Sequence, residues 1–364
     1  MGARASGRSL LLMVGTSKGL FLYHSDRDRQ KWRLEGPFLD GLEVNHATFD
    51  RRTGAVYATA NSPWFGSRLA YSRDMGKTWQ ESRGLGFSPE SGLKLDRLWH
   101  IEPGRPSEPG VVYCGVAPAA LFRSDDDGET WEEMTGLTSH PSRPDWQPGA
   151  GGLCLHTIVL DPVQSGRMWV AISSAGAFRT DDGGLTWQAV NKNLRRAEIE
   201  VYPEWGQCVH DVVLAAGGTS RLYLRNHSCV YRSDDGADTW RDITAGLPSD
   251  FGFPIAAHPR DPDTAYVIPL QNADFRCPPE GKLRVFRAQD AGRTWQPLSR
   301  GLPQRGAYMG IYREGLCTDE LEPAGVYFGT NTGHLYVSAD EGDRWRRLTA
   351  TLPPIYSVSA AVLN

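Results

Sequence analysis

Seven tryptophans recur at intervals of about fifty residues, and no other feature constrains the fold as strongly. They are Trp32, Trp79, Trp131, Trp187, Trp240, Trp295 and Trp345, separated by 47, 52, 56, 53, 55 and 50 residues. Three of them close full copies of one octapeptide. These read Ser72-Arg-Asp74-Met-Gly76-Lys-Thr78-Trp79, Ser124-Asp-Asp126-Asp-Gly128-Glu-Thr130-Trp131 and Thr180-Asp-Asp182-Gly-Gly184-Leu-Thr186-Trp187. Weaker copies end at Trp240 with Ala237 in the glycine position, at Trp295 with Ala288 in the serine position, and at Trp345 with Arg344 in the threonine position. Residues 25–32 keep only the ends of the pattern. A period of this length marks a repeat architecture, in which each unit needs its neighbours to cover its apolar faces.

An aromatic or aliphatic pair precedes each copy, such as Ala70-Tyr71, Leu121-Phe122 or Val230-Tyr231, and the tryptophan opens the segment that follows. A turn between two strands needs a residue tolerant of positive φ, which the glycine supplies. The aspartate can accept backbone N–H groups inside the turn. The octapeptide resembles the Asp box, or BNR repeat, of sialidases and many other β-propellers. The resemblance spans nearly the whole chain and implies a propeller. It implies less about activity, because the same turn decorates sialidases, xyloglucanases, sorting receptors and photosystem assembly factors. Asp74, Asp126, Asp182, Asp235, Asp290 and Asp340 are accordingly read as turn residues rather than catalysts.

Each repeat divides into four short strands. Second strands fall at 11–14, 56–59, 111–115, 168–172, 222–224, 265–268 and 326–329, each just before its aromatic pair. First strands fall at 44–49, 98–102, 153–160, 208–214, 253–257, 308–312 and 356–363. The expected fold is all-β: a seven-bladed β-propeller of four-stranded antiparallel blades. The chain starts on a second strand and ends on a lone first strand, so the C-terminal strand should pair with the N-terminal blade and close the ring. Residues 1–9 read as a loose leader and 10–364 as a single propeller domain.

Composition narrows the rest. The net charge is −4 with no basic run, so nucleic acid is not an expected partner. The apolar run 10–14 is too short for a signal peptide and is needed as a strand. The start Met1-Gly2-Ala-Arg-Ala-Ser6 matches a myristoylation pattern. One acyl chain anchors only marginally, and no membrane partner is expected. Six scattered cysteines do not form a disulfide framework, which points to a reducing, cytoplasmic setting.

In such a ring the loops into first strands share one face with those between second and third strands. Four consecutive first strands bring a histidine there, His46, His100, His156 and His210, the last two within Cys-x-His. Four imidazoles converging on a channel could ligate a divalent metal (zinc, iron, copper or manganese), or act as bases; they could equally bond to backbone. Carotenoid-cleaving oxygenases hold iron with four inner-strand histidines in a seven-bladed propeller, an analogy of fold alone. The loops of this face add Trp64, Arg225, Asn226, His227, Asn272 and Arg276, with Trp205 and Glu204 on the long segment 198–207. Aromatics mixed with amides and cations suit a carbohydrate or small polar ligand.

Sialidases carry three arginines for the substrate carboxylate, one in a Phe/Tyr-Arg-Ile-Pro motif, and have six blades. This chain has no such motif and counts to seven, which speaks against sialidase activity. Another glycosidase would need two carboxylates at a set spacing, with Glu43, Asp96, Glu204, Asp211 and Asp274 available. The leading reading is a polar, histidine-rich pocket on one face, serving a glycosyl hydrolase or lyase. His100, His156, His210 and Glu204 would be its acid–base groups, and Arg225 and Arg276 its anion clamps. The alternatives are a non-catalytic assembly propeller and a metal-dependent enzyme.

Overall fold

The structure, a computed structural model, describes residues 9–197, 199–218 and 220–363. Most of the expected leader, residues 1–8, lies outside them together with the acylation pattern. Seven antiparallel four-stranded sheets are arranged as the blades of a propeller. In chain order, each blade after the first runs from an innermost to an outermost strand. Blade two is Ala47–Asp50, Ala55–Ser62, Gly66–Ser72 and Gln80–Glu81. Blade three is Arg97–Pro103, Val112–Ala117, Ala120–Ser124 and Glu132–Glu133. Blades four, five, six and seven begin with Leu155–Leu160, Val209–Leu214, Phe251–Ala257 and Leu316–Thr318. Blade one is a composite: Ile355–Leu363 is innermost, followed by Ser9–Thr16, Gly19–Ser25 and Trp32–Phe38. Its closing pair runs from Ser9 opposite Leu363 to Thr16 opposite Ile355. A buried ion pair supports the same seam, with Arg29 of blade one donating to both oxygens of Asp319 in blade seven at 3.2 and 3.0 Å.

The octapeptides form the turns between third and fourth strands, and their hydrogen bonds explain their spelling. Asp126 accepts from the Thr130 backbone N–H at 2.8 Å and from its hydroxyl at 2.6 Å, while Ser124 Oγ accepts from the Gly128 N–H at 2.9 Å. The sets around Asp74, Asp182 and Asp235 repeat this pattern. Hydroxyl and backbone donors from Thr186, together with the Thr180 hydroxyl, hold the Asp182 carboxyl down at about 2. The tryptophans then fasten blades together. Trp240 Nε1 donates to Val190 O of the preceding blade at 2.7 Å, and Trp295 Nε1 to Ile243 O at 2.7 Å. Apolar clusters between adjacent blades, such as Tyr57, Leu98, Val116 and Phe122, form the core.

One expected strand is misplaced. Residues 308–312 are not the first strand of blade seven, which is instead the three-residue Leu316–Thr318. Tyr308 is 66% exposed, Gly310 interrupts the segment, and Gly310 N–H is held by the Asn331 side chain at 2.8 Å rather than by a ladder. No helix among the described residues is long and apolar enough to cross a membrane.

Candidate functional site

Bulges in the innermost strands set the geometry of the channel. Pairing skips one residue between Leu98 and His100, between Leu155 and Thr157, and between Val209 and Asp211. Trp99, His156 and His210 are therefore the extra residues, while His100, Thr157 and Asp211 return to register. Blade six has the same irregularity between Gly252 and Ile255, with Phe253 inside it. A bulge re-aims a side chain, and here it sorts the inner strands into two tiers. Trp99, His156, His210 and Phe253 line an upper cavity of about 310 Å³. His100, Thr157, Asp211 and Ile255 line a lower one of about 420 Å³. Glu314 lines both and marks the waist between them.

At that waist His100 Nδ1 donates to Glu314 Oε1 at 3.2 Å, and His46 Nε2 lies 3.8 Å from Oε2. The two imidazoles are stacked, with centroids 4.2 Å apart. His46 Nδ1 accepts from the Ile101 N–H at 3.3 Å, which leaves its proton on the nitrogen facing Glu314. Electrostatics divides one proton between the stacked rings. Burial and the charge of His100 lower His46 to about 3. Burial alone would lower His100 too, but Glu314 and Glu102 beside it raise it to about 10. Burial opposes the charge on Glu314, yet the His100 cation wins and holds it below the usual carboxylate range. Asp211 goes the other way, because burial and the Glu314 charge both push its carboxyl well above the usual carboxylate range, against the Ile255 N–H that donates to it at 3.2 Å. Two carboxyls near one channel are thus shifted in opposite directions.

The upper cavity combines cations with aromatic walls. Arg276 and Arg313 stand over the Phe253 ring, their guanidinium carbons 5.4 and 5.3 Å from its centroid. Neither forms an ion pair among the described residues. Arg97 also lines the cavity, paired with Glu43 at 3.1 Å. Trp99, Tyr312, Tyr356 and Phe251 complete the apolar wall.

Of the residues expected from sequence, His156, His210, His227 and Arg276 meet in this cavity. The four inner-strand histidines do not converge on one point. His46 and His100 stack at the waist, His210 lies beside Cys208 and His227, and His156 has both nitrogens engaged, with Val209 O at 3.0 Å and Thr157 Oγ1 at 2.9 Å. Glu204 is exposed in a separate surface groove with Lys192 and Tyr202. Trp205 packs against the apolar core of blades three and four. Arg225 is fully buried, outside the cavity lining, with no hydrogen-bond partner for its guanidinium among the described residues, and burial lowers it to about 10. Asn226 is buried and donates to Arg195 O at 2.6 Å. Asn272 accepts from the backbone of its own loop, and Trp64 stands 86% exposed at a hairpin tip. Of the carboxylate candidates, Asp211 is at the channel, Glu43 is paired with Arg97, and Asp96 and Asp274 lie outside both cavities.

Sequence reasoning missed Glu314, Arg313, Tyr312, Arg97 and Trp99. The shifted start of blade seven hid the first three. Their signal was Arg313-Glu314-Gly315, a charged pair before a glycine at a strand entrance. Trp99 was hidden because the histidine beside it drew the alignment one residue along.

No family model matches the chain. It is 25% identical over 292 residues to a probable oligoxyloglucan-reducing end-specific xyloglucanase of Neosartorya fischeri, covering 71% of this chain and 33% of that protein. An oligoxyloglucan-reducing end-specific xyloglucanase of Emericella nidulans is 21% identical over 345 residues, covering 82% and 40%. The chain thus spans about a third to two fifths of the length of these curated relatives. Among solved structures, a GH74 enzyme of Niastella koreensis superposes with a TM-score of 0.60 at 16% identity, covering 98% of this chain and 66% of that one. This is a seven-bladed propeller with xyloglucanases among its sequence relatives and a GH74 enzyme among its structural neighbours.

Proposed function

We propose that this propeller is a carbohydrate-active glycosyl hydrolase that takes an acidic sugar in its upper cavity and reacts at the channel waist. The observation that carries it is a pair of carboxyls, Glu314 and Asp211, lining the same lower cavity, the first held down by the His100 cation and the second pushed up by burial and by Glu314. Glycoside hydrolysis asks for one carboxylate that attacks or activates water and one carboxylic acid that protonates the leaving oxygen. Glu314 takes the water proton as the water oxygen bonds to the anomeric carbon; the glycosidic C–O bond breaks, and the Asp211 proton passes to the leaving oxygen. His100, as a cation, orients Glu314 and keeps it ionised. Xyloglucanase relatives support a sugar substrate, and Arg276 and Arg313 support a carboxylated one.

The test is a panel of neutral and uronate-containing oligosaccharides, read by reducing-end release and calorimetric binding. Turnover of an acidic member, lost in Glu314→Gln while binding survives, supports the reading. Absence of both binding and turnover across the panel, or full turnover by Glu314→Gln, overturns it. A non-catalytic interaction propeller is favoured by one observation, the 86% and 80% exposure of Trp64 and Phe65 on one loop. It predicts capture of a polypeptide by that loop and no loss on Glu314→Gln.

A further inference from the structure

We propose that Cys208, His210 and His227 form a transition-metal site, suited to Zn²⁺, on the wall of the upper cavity. Their ligand atoms all lie within 4.8 Å of one another, and all three residues line that cavity. The site is separate from the Glu314 waist and does not depend on the hydrolase reading.

Three features make it a built site rather than a chance cluster. The first is spacing. Zinc bonds of about 2.3 Å to sulfur and 2.0–2.1 Å to nitrogen, at a tetrahedral angle, set the two donors about 3.6 Å apart. Cys208 Sγ and His210 Nε2 are 3.5 Å apart. The second is the tautomer. His210 Nδ1–H donates to Gly252 O at 2.7 Å, so Nε2 presents its lone pair towards the thiol. A backbone carbonyl on the far nitrogen is the usual way a protein orients a ligating imidazole. The third is rigidity. His210 is the bulge residue of its strand, and the His227 N–H donates to Cys208 O at 2.8 Å, tying the loop ligand to the strand ligand. His227 sits in the short turn between Leu222–Asn226 and Val230–Ser233, with its ring 5.4 Å from that of His210.

Binding replaces the Cys208 S–H proton with the metal and releases that proton to solvent, with no change of oxidation state. Two neutral imidazoles and one thiolate leave the complex with a single positive charge. Three protein donors leave a fourth position, and since the ligands line the cavity that position opens towards it. An open fourth position is the pattern of sites that polarise a bound water or ligand oxygen. Cys154-x-His156 in blade four repeats this spacing with no third ligand among the described residues. His156 has both nitrogens bonded to the protein there, so that pair serves as an internal control.

The experiment uses tag-free protein, reduced and stripped of metal, titrated with Zn²⁺ alone and with Co²⁺ as a spectroscopic substitute. Near-stoichiometric zinc, a rise in thermal midpoint and a thiolate-to-cobalt charge-transfer band are expected. Cys208→Ser should abolish the band, and His227→Ala should weaken zinc binding by about a hundredfold or more, since losing even a residue that only supports a ligand costs about tenfold to a hundredfold in metal affinity. Cys154→Ser should change neither. His227 lies on a loop, so His227→Ala remains informative even if Cys208→Ser folds poorly. No zinc uptake by the reduced wild type, or uptake unchanged in both ligand variants, overturns the site.

Discussion

His100 and Glu314 meet at the waist of the propeller channel through one hydrogen bond, Nδ1 to Oε1 at 3.2 Å, and each favours the other's charged form. His46, stacked on His100, stays neutral for the same reason, since a second cation so close is disfavoured. Replacing Glu314 by Gln keeps the size and one acceptor but removes the anion. One imidazole should stay protonated in the wild type up to about pH 10. In Glu314→Gln that imidazole should deprotonate far lower, because burial then acts with only Glu102 opposing it. Histidine carbon shifts followed by NMR across pH would read this directly. Activity should fall by about two to four orders of magnitude if Glu314 is the reacting carboxylate.

His156 provides a separate acid response. It is fully buried, bonded on both nitrogens, and lowered to about 3 by burial and by Arg313. A depressed histidine contributes stability that is present above its unfolded value near 6.5 and is lost as pH falls towards the folded value. Between these limits the unfolded chain binds one more proton than the native state, a slope of about 1.4 kcal/mol per pH unit. His156→Gln retains a donor for Val209 O and lacks the titration. Denaturant unfolding at successive pH values between 6.5 and 4 should therefore give a wild-type stability that falls more steeply than the variant's by about that slope. Parallel slopes would count against a neutral buried His156.

The ring seam makes its own prediction. The Asp319 carboxylate is fully buried, accepting from Arg29, from the Leu321 and Gly325 backbone N–H groups at 2.9 Å each, and from the Tyr327 hydroxyl. Asp319→Ala strands the Arg29 cation in the seam, and loss of one partner of a buried pair costs about 3–5 kcal/mol. The double replacement Arg29→Met with Asp319→Leu removes both charges and should recover much of that loss. Equilibrium unfolding of the three proteins in urea would show it, and a double variant no more stable than Asp319→Ala would contradict it.

These groups show which parts of the molecule were legible in the chain. The blade count, the composite first blade and the octapeptide turns follow from local chemistry repeated along the chain, so each copy corroborates the others. The tryptophan period survives even at Trp32, where the turn is otherwise rewritten around Arg29. The site was less legible because it depends on a one-residue bulge. Four histidines read in register are separated into tiers by whether Trp99 or His156 takes the extra position. Glu314 was hidden for a different reason: its strand has three residues, too few to show an alternating pattern. Arg225 has the composition of a binding residue, and only tertiary packing tells that it is buried.

The turn aspartates should matter for stability alone. Asp126→Ala removes the acceptor for the Thr130 N–H and hydroxyl and for the Ser124 hydroxyl at 2.8 Å. The turn is partly exposed, so water replaces some of these bonds and the loss should be about 1–2 kcal/mol. Ligand affinity at the upper cavity should be unchanged, as measured by calorimetry on the folded variant. A matching loss of binding would mean that the turn face takes part in recognition.

The two arginines over Phe253 give the sharpest test of substrate charge. Both guanidiniums face one ring and neither is neutralised by a carboxylate among the described residues, Arg276 donating only its Nε–H to Ala273 O at 2.7 Å, so a ligand anion would meet them without breaking an ion pair. Arg313→Ala should therefore weaken an acidic oligosaccharide by about tenfold to a hundredfold, the scale of a charge-assisted hydrogen-bond pair, and leave its neutral analogue nearly unaffected. Arg276 is more exposed than Arg313, so Arg276→Ala should cost less, and its contribution should fade as salt is raised. Isothermal titration of both ligands with both variants at two ionic strengths separates these effects. Equal losses for the acidic and neutral ligands would reduce the arginines to wall packing and remove the support for an acidic sugar.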